Sequence, residues 1–486
     1  MSAPREIPRR IVVAGAGQLG MLAALALKQA LPASEVLVVA TPPDPLALCD
    51  RIGTALPYTN RLHDRLGVSE EVLVTRCGGS HRLVMRYVDW GGKGTQGLAA
   101  YGAVIDPKLK TAFAKEWGGG PRNARTGKPA ASVGEALARA GRFAPPPPGR
   151  DHPLSEVDYA LRWNVPAYRD LLIDMADKAG VTHVAGRISA IQLGEDGLVA
   201  AIDVEGTGAI QADLFIDCTG PRGLLLSGMP GAERVDWSAN LPIRALIFAK
   251  RGEAMLALED RCTISEVGWL AEYAGRDGKQ DILALRTGVS EADAFRALAA
   301  EPAGMVPLSP GRAGQCWIGN VIALGDAAAH FEPLGWLNLD LAHRQLGLLL
   351  ELLPGMTPDP RERGEFNRRA ALMADRVRDV VALHYRAPVA KQVIGEVVLS
   401  PEMAIALDQF TRRGRLPFFE ELPFLVQEWG HVLDALGIAA GEGAMQLGGD
   451  AGSTGTARVA LERQIEAALL AAPPYGAWMS RVLRGP

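Results

Sequence analysis

The sequence predicts an α/β fold. A wholly apolar run at residues 11–14 leads through a glycine-rich turn into a helical segment at 21–31, and a second apolar, β-branched run follows at 36–39. That order is a βαβ unit, in which strands buried on both faces read as continuous apolar sequence instead of an alternation. A buried strand at 212–217 and an apolar strand at 318–324 extend the same kind of sheet, and helical periodicity dominates beyond residue 339.

Composition narrows the class. With 486 residues the chain is long enough for two or three modules. Hydrophobic residues at 48% and charged residues at 22% are those of a globular chain. A net charge of -4 gives no electrostatic footprint for phosphate backbones, so no nucleic-acid partner is expected. Residues 1–10 are polar and basic, but the apolar run after them reads as strand, turn and helix, not as a signal core. No later apolar stretch of spanning length escapes glycine or charge, so a cytoplasmic protein without a membrane partner is expected. Cys49, Cys77, Cys218, Cys262 and Cys316 are scattered and odd in number, without a CxxC pair. They read as buried small hydrophobes, not as a disulfide framework or zinc site. The histidines show no HExxH spacing, and no metal is expected.

Each further element has a local signal. Pro32 stops the first helix. Residues 118–153 shift to Gly, Ala and Pro and end in four prolines at 145–148, which reads as a long surface connection. A helix is expected at 168–179, then a hairpin of strands 181–193 and 199–204 closed at Glu195-Asp196-Gly197. After the strand at 318–324, a helix at 339–353 ends at Pro354, and 361–385, 401–411 and 422–436 are helical before a Gly-rich stretch at 437–455. Gly441-Glu442-Gly443 has no strand before it and is expected as a loop. The expected organisation is a first module at about 1–355, carrying inserted β-sheet substrate segments at about 75–160 and 236–310, then a mainly helical region at about 356–486.

Gly15-Ala16-Gly17-Gln18-Leu19-Gly20 is a full GxGxxG between strand and helix. The first glycine permits the tight turn, the second lets backbone approach a pyrophosphate, and the third packs helix on strand. The helix start then offers unpaired N–H groups and a positive dipole end to the phosphates. An acid normally ends the second strand and takes the ribose hydroxyls. Here Ala40 and Thr41 stand in that place, so only Thr41 offers a hydroxyl.

Asp213-Leu214-Phe215-Ile216-Asp217-Cys218-Thr219-Gly220-Pro221-Arg222-Gly223-Leu224-Leu225 closely resembles the segment ADLFIDCSGxRGLL of the flavin-dependent tryptophan halogenases. Further matches follow in the same order: Arg51-Ile52-Gly53, Arg86-Tyr87-Val88-Asp89-Trp90, Gly268-Trp269, Phe331-Glu332-Pro333-Leu334 and His384-Tyr385. The resemblance implies a Rossmann-type FAD-binding module with an associated β-sheet substrate module. It implies FAD reduced by a separate flavin reductase, and O2 and halide converted to hypohalous acid that travels through a tunnel to a small aromatic substrate. Gly325-Asp326-Ala327-Ala328 is similar to the GD motif of flavoprotein monooxygenases, whose acid takes hydrogen bonds from the ribityl chain; Asp326 would also serve as a helix cap. The implied FAD contacts are Gly15, Gly17, Gln18, Leu19, Gly20, Thr41, Arg51, Ile188, Gly325, Asp326 and Leu334. A homodimer is left open.

The catalytic positions of the family differ here. Aligning Gly78-Gly79-Ser80-His81-Arg82 with the segment that ends in the catalytic lysine places Arg82 there. A guanidinium is always charged and donates hydrogen bonds but does not become a neutral nucleophile. Arg82 reads equally well as a surface ion-pair residue on a strand. The family's Glu-Ser-Thr-Gly reads Gly335-Trp336-Leu337-Asn338, which removes the catalytic carboxylate and a halide-binding hydroxyl. Gly268-Trp269-Leu270-Ala271-Glu272 keeps only the first tryptophan of the WxWxIP signature, and Gly53-Thr54-Ala55-Leu56-Pro57 is a shortened GEATIP loop without its glutamate. Three readings remain open: an FAD-dependent oxidoreductase or monooxygenase without halogenation, a non-catalytic halogenase-like binding protein, and a halogenase with a rebuilt pocket.

Overall fold

The computed structural model describes residues 6–102, 132–147, 149, 151–414, 416–417, 419–441 and 451–484. Two compact units divide the chain. The first joins Met1–Gly79, Arg162–Leu246 and Met305–Arg378; the second joins Ser80–Leu161, Ile247–Gly304 and Asp379–Pro486.

In the first unit a six-stranded sheet runs, in spatial order, Trp317–Ile318, Val321–Ala323, Leu214–Asp217, Arg10–Ala14, Glu35–Ala40 and Thr182–Ala185. Arg10–Ala14 lies parallel between its two neighbours, with Ile11 opposite both Leu214 and Val36. Ile11, Val12, Val13 and Ala14 are fully buried, as the unbroken apolar run demands. The first helix is Gln18–Ala30 and starts three residues before its apolar periodicity does, because Gly17 provides its extended N-cap. Helix Val165–Ala179 packs against it. That helix starts where the Asn164 side chain accepts from the Ala167 N–H at 2.9 Å, with Pro166 in its first turn.

Two expected strands are each split. Residues 181–193 form Thr182–Ala185, parallel to Glu35–Ala40, and Ile188–Leu193, antiparallel to Val199–Val204 in a separate three-stranded sheet. The break is at Gly186, where a Cβ would come within 2.7 Å of Glu205 O. Local β-propensity cannot see a chain leaving one sheet for another. The hairpin turn itself stands, closed by Gly197 N–H donating to Gly194 O at 3.0 Å. Likewise 318–324 is Trp317–Ile318 turning back antiparallel on Val321–Ala323.

The second unit is built on a seven-stranded sheet in the order Pro302–Pro307, Ile243–Ala249, Gln280–Arg286, Gly268–Tyr273, Glu259–Ser265, Val84–Val88 and Gln96–Ala100. The expected long connection contains a helix, Val133–Ala140, whose N-cap Ser132 accepts from Glu135 N–H at 3.1 Å. A capping serine and an apolar face outweigh the glycine content there. The C-terminal part is mainly helical: Pro360–His384, Pro401–Arg413 and Val426–Ala435 stand where helices are expected, while Pro388–Ile394, Ala451–Ala471 and Tyr475–Arg484 are further helices, the second of them starting inside the expected Gly-rich stretch. Glu442 and Gly443 lie outside the described residues. All five cysteines are buried and free. Among the described residues no helix is long and apolar enough to cross a membrane.

Candidate functional site

The glycine turn of the first unit has the geometry the fingerprint calls for. Gly15 has φ +101°, and a Cβ there would sit 2.6 Å from Cys218 O; one on Gly20 would overlap Gly15 O. Gly17 opens onto a different occupant. A Cβ on Gly17 would overlap both carboxylate oxygens of Asp50. Asp50 is partly exposed as a residue, yet its Oδ1 is buried without a hydrogen-bond partner. Burial, then the neighbouring Asp326, raises its carboxyl from 3.8 to about 7, against the pull of the Gln18 and Leu19 backbone N–H groups and Arg169. Arg169, on helix Val165–Ala179, donates from Nε to Ala16 O in the same turn. The cradle therefore holds a carboxyl group, supplied by the chain itself, against the glycine that the fingerprint leaves bare. Neither Asp50 nor Arg169 belongs to the fingerprint; only their placement against its backbone reveals them.

The other expected contacts have the following partners. Gln18 turns its side chain away, donating from Nε2 to Ile52 O at 2.9 Å and accepting from Trp163 Nε1 at 2.8 Å, which leaves its backbone N–H for the cradle. Leu19 lies against Gly325, where a Cβ would overlap Leu19 Cδ2. Asp326 is buried; its Oδ2 accepts from Cys49 N–H at 2.7 Å and its Oδ1 lies 2.9 Å from His330 Nδ1. Thr41, just past the second strand, donates to Gly186 O at 3.3 Å. Ile188 is buried at the start of its strand, and Arg51 donates from Nε to Pro45 O at 2.9 Å. Asp217, in the segment that carried the resemblance, is fully buried and accepts from the Thr219, Leu225 and Leu226 N–H groups at 2.9–3.0 Å and from the Thr219 hydroxyl at 2.6 Å. Burial pushes its carboxyl up while these donors oppose the shift. Its work is to pin the loop that follows the strand.

Leu334 is buried and opens a short turn into helix Leu337–Glu351. Gly335 and Trp336 both have positive φ, 69° and 63°, and the Trp336 indole is buried. A bulky residue in that region carries about 1–3 kcal/mol of strain, a cost that collects at functional sites. Asn338, in the first turn of the helix, is 4% exposed, and neither polar atom of its side chain has a partner. Buried polar groups are ordinarily hydrogen-bonded, so Asn338 is a candidate ligand contact that the family motifs do not mark. Nearby on the same helix, His343 Nδ1 lies 2.8 Å from Thr59 Oγ1, and His63 Nε2 lies 2.7 Å from Tyr168 Oη. Burial pushes both imidazoles down to about 3, so they are neutral.

In the second unit Arg82 is fully buried, which corrects the expectation of a surface ion pair. Its Nη1 lies 2.6 Å from Asp260 Oδ2, also fully buried, and its Nε donates to Tyr101 Oη at 2.9 Å. Three segments that match the resemblance converge in this unit. Trp269 Nε1 donates to Tyr385 Oη at 3.0 Å, Tyr87 Oη lies 2.9 Å from His384 Nε2, and Trp90 Nε1 donates to Cys262 O at 3.0 Å. Burial lowers His384 to about 4, and its Nδ1 lies 2.8 Å from Val380 O, so the neutral ring donates there and accepts from Tyr87.

Comparison with known proteins agrees with this architecture. The sequence profile of the family described as tryptophan halogenase matches residues 10–448. The tryptophan 7-halogenase RebH of Lentzea aerocolonigenes is 23% identical over 417 residues, covering 77% of this chain and 76% of that one. The 7-chloro-L-tryptophan 6-halogenase KtzR of Kutzneria sp. (strain 744) is 26% identical over 249 residues, so the match spans about half of that relative, 48%. In structure, BrvH, a flavin-dependent halogenase from Brevundimonas sp. BAL3, superposes with a TM-score of 0.85 at 24% identity over 98% of this chain and 99% of its own. Xcc4156, a flavin-dependent halogenase from Xanthomonas campestris, gives 0.85 at 21% identity over 99% of each chain. At these identities the structural likeness establishes the fold.

Proposed function

Because this chain belongs to the tryptophan halogenase family, we propose that it is an FAD-dependent oxidoreductase of the monooxygenase type, acting on an aromatic small molecule without halogenating free tryptophan. Flavin-dependent halogenases use FAD reduced by a separate flavin reductase. The groups here suit such a cofactor: the Gln18 and Leu19 N–H groups and Arg169 face the Asp50 carboxyl, and the buried Asp326 carboxyl nearby is the group we assign to the ribityl chain. When bound, FAD would supply the oxidising chemistry with O2.

The observation that carries the proposal is the segment Gly335-Trp336-Leu337-Asn338. Gly335 brings no carboxylate, Leu337 brings no hydroxyl, and the buried Trp336 indole takes up space beside the start of the helix. The polar groups left in the segment are backbone N–H groups, the Trp336 indole N–H and the Asn338 amide, which orient a substrate but do not act as a general base. The test is mass spectrometry of a reaction containing FAD, a flavin reductase, halide, O2 and tryptophan. No chlorine or bromine isotope doublet on tryptophan is expected, with peroxide or an oxygenated product instead; a doublet at multiple turnovers overturns the proposal in favour of a halogenase with a rebuilt pocket.

Ala40, which cannot receive ribose hydroxyls, favours the second reading of a non-catalytic binding protein. Failure to take up FAD at high concentration would decide for it. The proposal also includes a cytoplasmic location and a flavin reductase as partner, and a homodimer is the assembly to test by light scattering.

A further inference from the structure

A carboxylate of the chain itself stands in the cradle meant for phosphate. The first turn of helix Gln18–Ala30 contains no acid of its own, yet Asp50 reaches it from another loop and presses its carboxylate onto Gly17, the glycine left bare for a pyrophosphate. Two negative groups cannot share that space. We propose that Asp50 is an internal occupant of the pyrophosphate cradle, and that FAD binds as this carboxylate is neutralised or swung out. The inference rests on the FAD reading above.

The groups around Asp50 set its charge. Asp326 opposes ionisation from the turn after strand Val321–Ala323, while Arg169 on helix Val165–Ala179 favours it. His330 lies on the far oxygen of Asp326. Cys49 and Cys218 also face Asp50, and burial pushes both thiols well above their ordinary range, so they stay neutral. With the Asp50 carboxyl raised to about 7, its charge changes around neutral pH. Below that value the cradle has no competing charge; above it, each pH unit weakens FAD by up to about tenfold, the slope of one coupled proton.

The test is FAD titration of the full chain by flavin fluorescence, for the wild type and Asp50→Asn, between about pH 6 and about pH 9. The wild type is expected to bind more weakly as pH rises. The asparagine variant is expected to bind tightly with little pH dependence, at least about tenfold better at the alkaline end. Equal affinities with equal slopes overturn the inference and leave the FAD reading standing. Absence of FAD uptake by both folded proteins overturns the FAD reading and the inference with it. Circular dichroism establishes folding; should Asp50→Asn fail to fold, the slope of the wild type decides, and a flat profile overturns the inference.

Discussion

Arg82 and Asp260 are both fully buried and lie 2.6 Å apart, so each charge depends on the other. Asp260 Oδ1 also accepts from Ala274 N–H at 3.2 Å, which couples the pair to the backbone just past strand Gly268–Tyr273. Replacing Arg82 by methionine would strand a carboxylate in the core, and breaking a buried pair from one side costs about 3–5 kcal/mol. Arg82→Met is therefore expected to lower the denaturant midpoint sharply. Arg82→Lys should lose less, since an ammonium keeps one contact but cannot span both Asp260 and Tyr101. Equal stability of Arg82→Met and wild type in urea unfolding would show that the pair contributes nothing. Asn338 poses the opposite case at the same scale, a buried amide with neither polar atom hydrogen-bonded, and Asp50 shares it in part, with one buried oxygen unpaired.

At the scale of the element, the turn between the first strand and first helix is tightly constrained. Gly15 supplies a backbone conformation that side chains avoid, and Gly20 lets the helix close on the strand end. Gly20→Ala would drive a methyl into Gly15 O, and overpacking of this kind costs about 1–3 kcal/mol. The variant is expected to unfold at lower temperature and to lose FAD uptake together, because the same displacement moves the Gln18 and Leu19 N–H groups. Calorimetry paired with FAD titration checks both; normal uptake in a folded Gly20→Ala protein would separate the turn from the cofactor. The turn into helix Leu337–Glu351 stores its strain in Trp336 instead, where a left-handed tryptophan replaces the small flexible residues such turns prefer.

For the whole molecule, buried imidazoles make stability depend on acid. His63 and His343 each fall from 6.5 to about 3 on folding, because burial disfavours the charged ring. A depressed histidine value contributes stability that is present above 6.5 and is lost as pH falls toward about 3, since the unfolded chain takes up the proton first. His343→Gln should unfold with a shallower acid dependence than the wild type across this window, measured as melting temperature against pH. Parallel curves would mean that the ring is solvated and titrates normally. His384, lowered to about 4 in the second unit, adds to the same trend.

Local order was enough to read the parallel sheet, the GxGxxG turn, the principal helices and the family resemblance. The buried strands announce themselves by unbroken apolar runs, and turns and caps depend on residues within a few positions of one another. By itself the sequence thus determined the strand, glycine turn and helix of the fingerprint and which family residues had been exchanged. It could not reveal that residues 181–193 serve two sheets, since each half has the propensity of a strand and only its partners tell them apart. Nor could it pair Arg82 with Asp260, 178 residues away, or set Asp50 against Gly17. Those contacts were decided by tertiary structure alone, because the burial and charge of a side chain depend on groups that the fold, and not the neighbouring sequence, brings within reach.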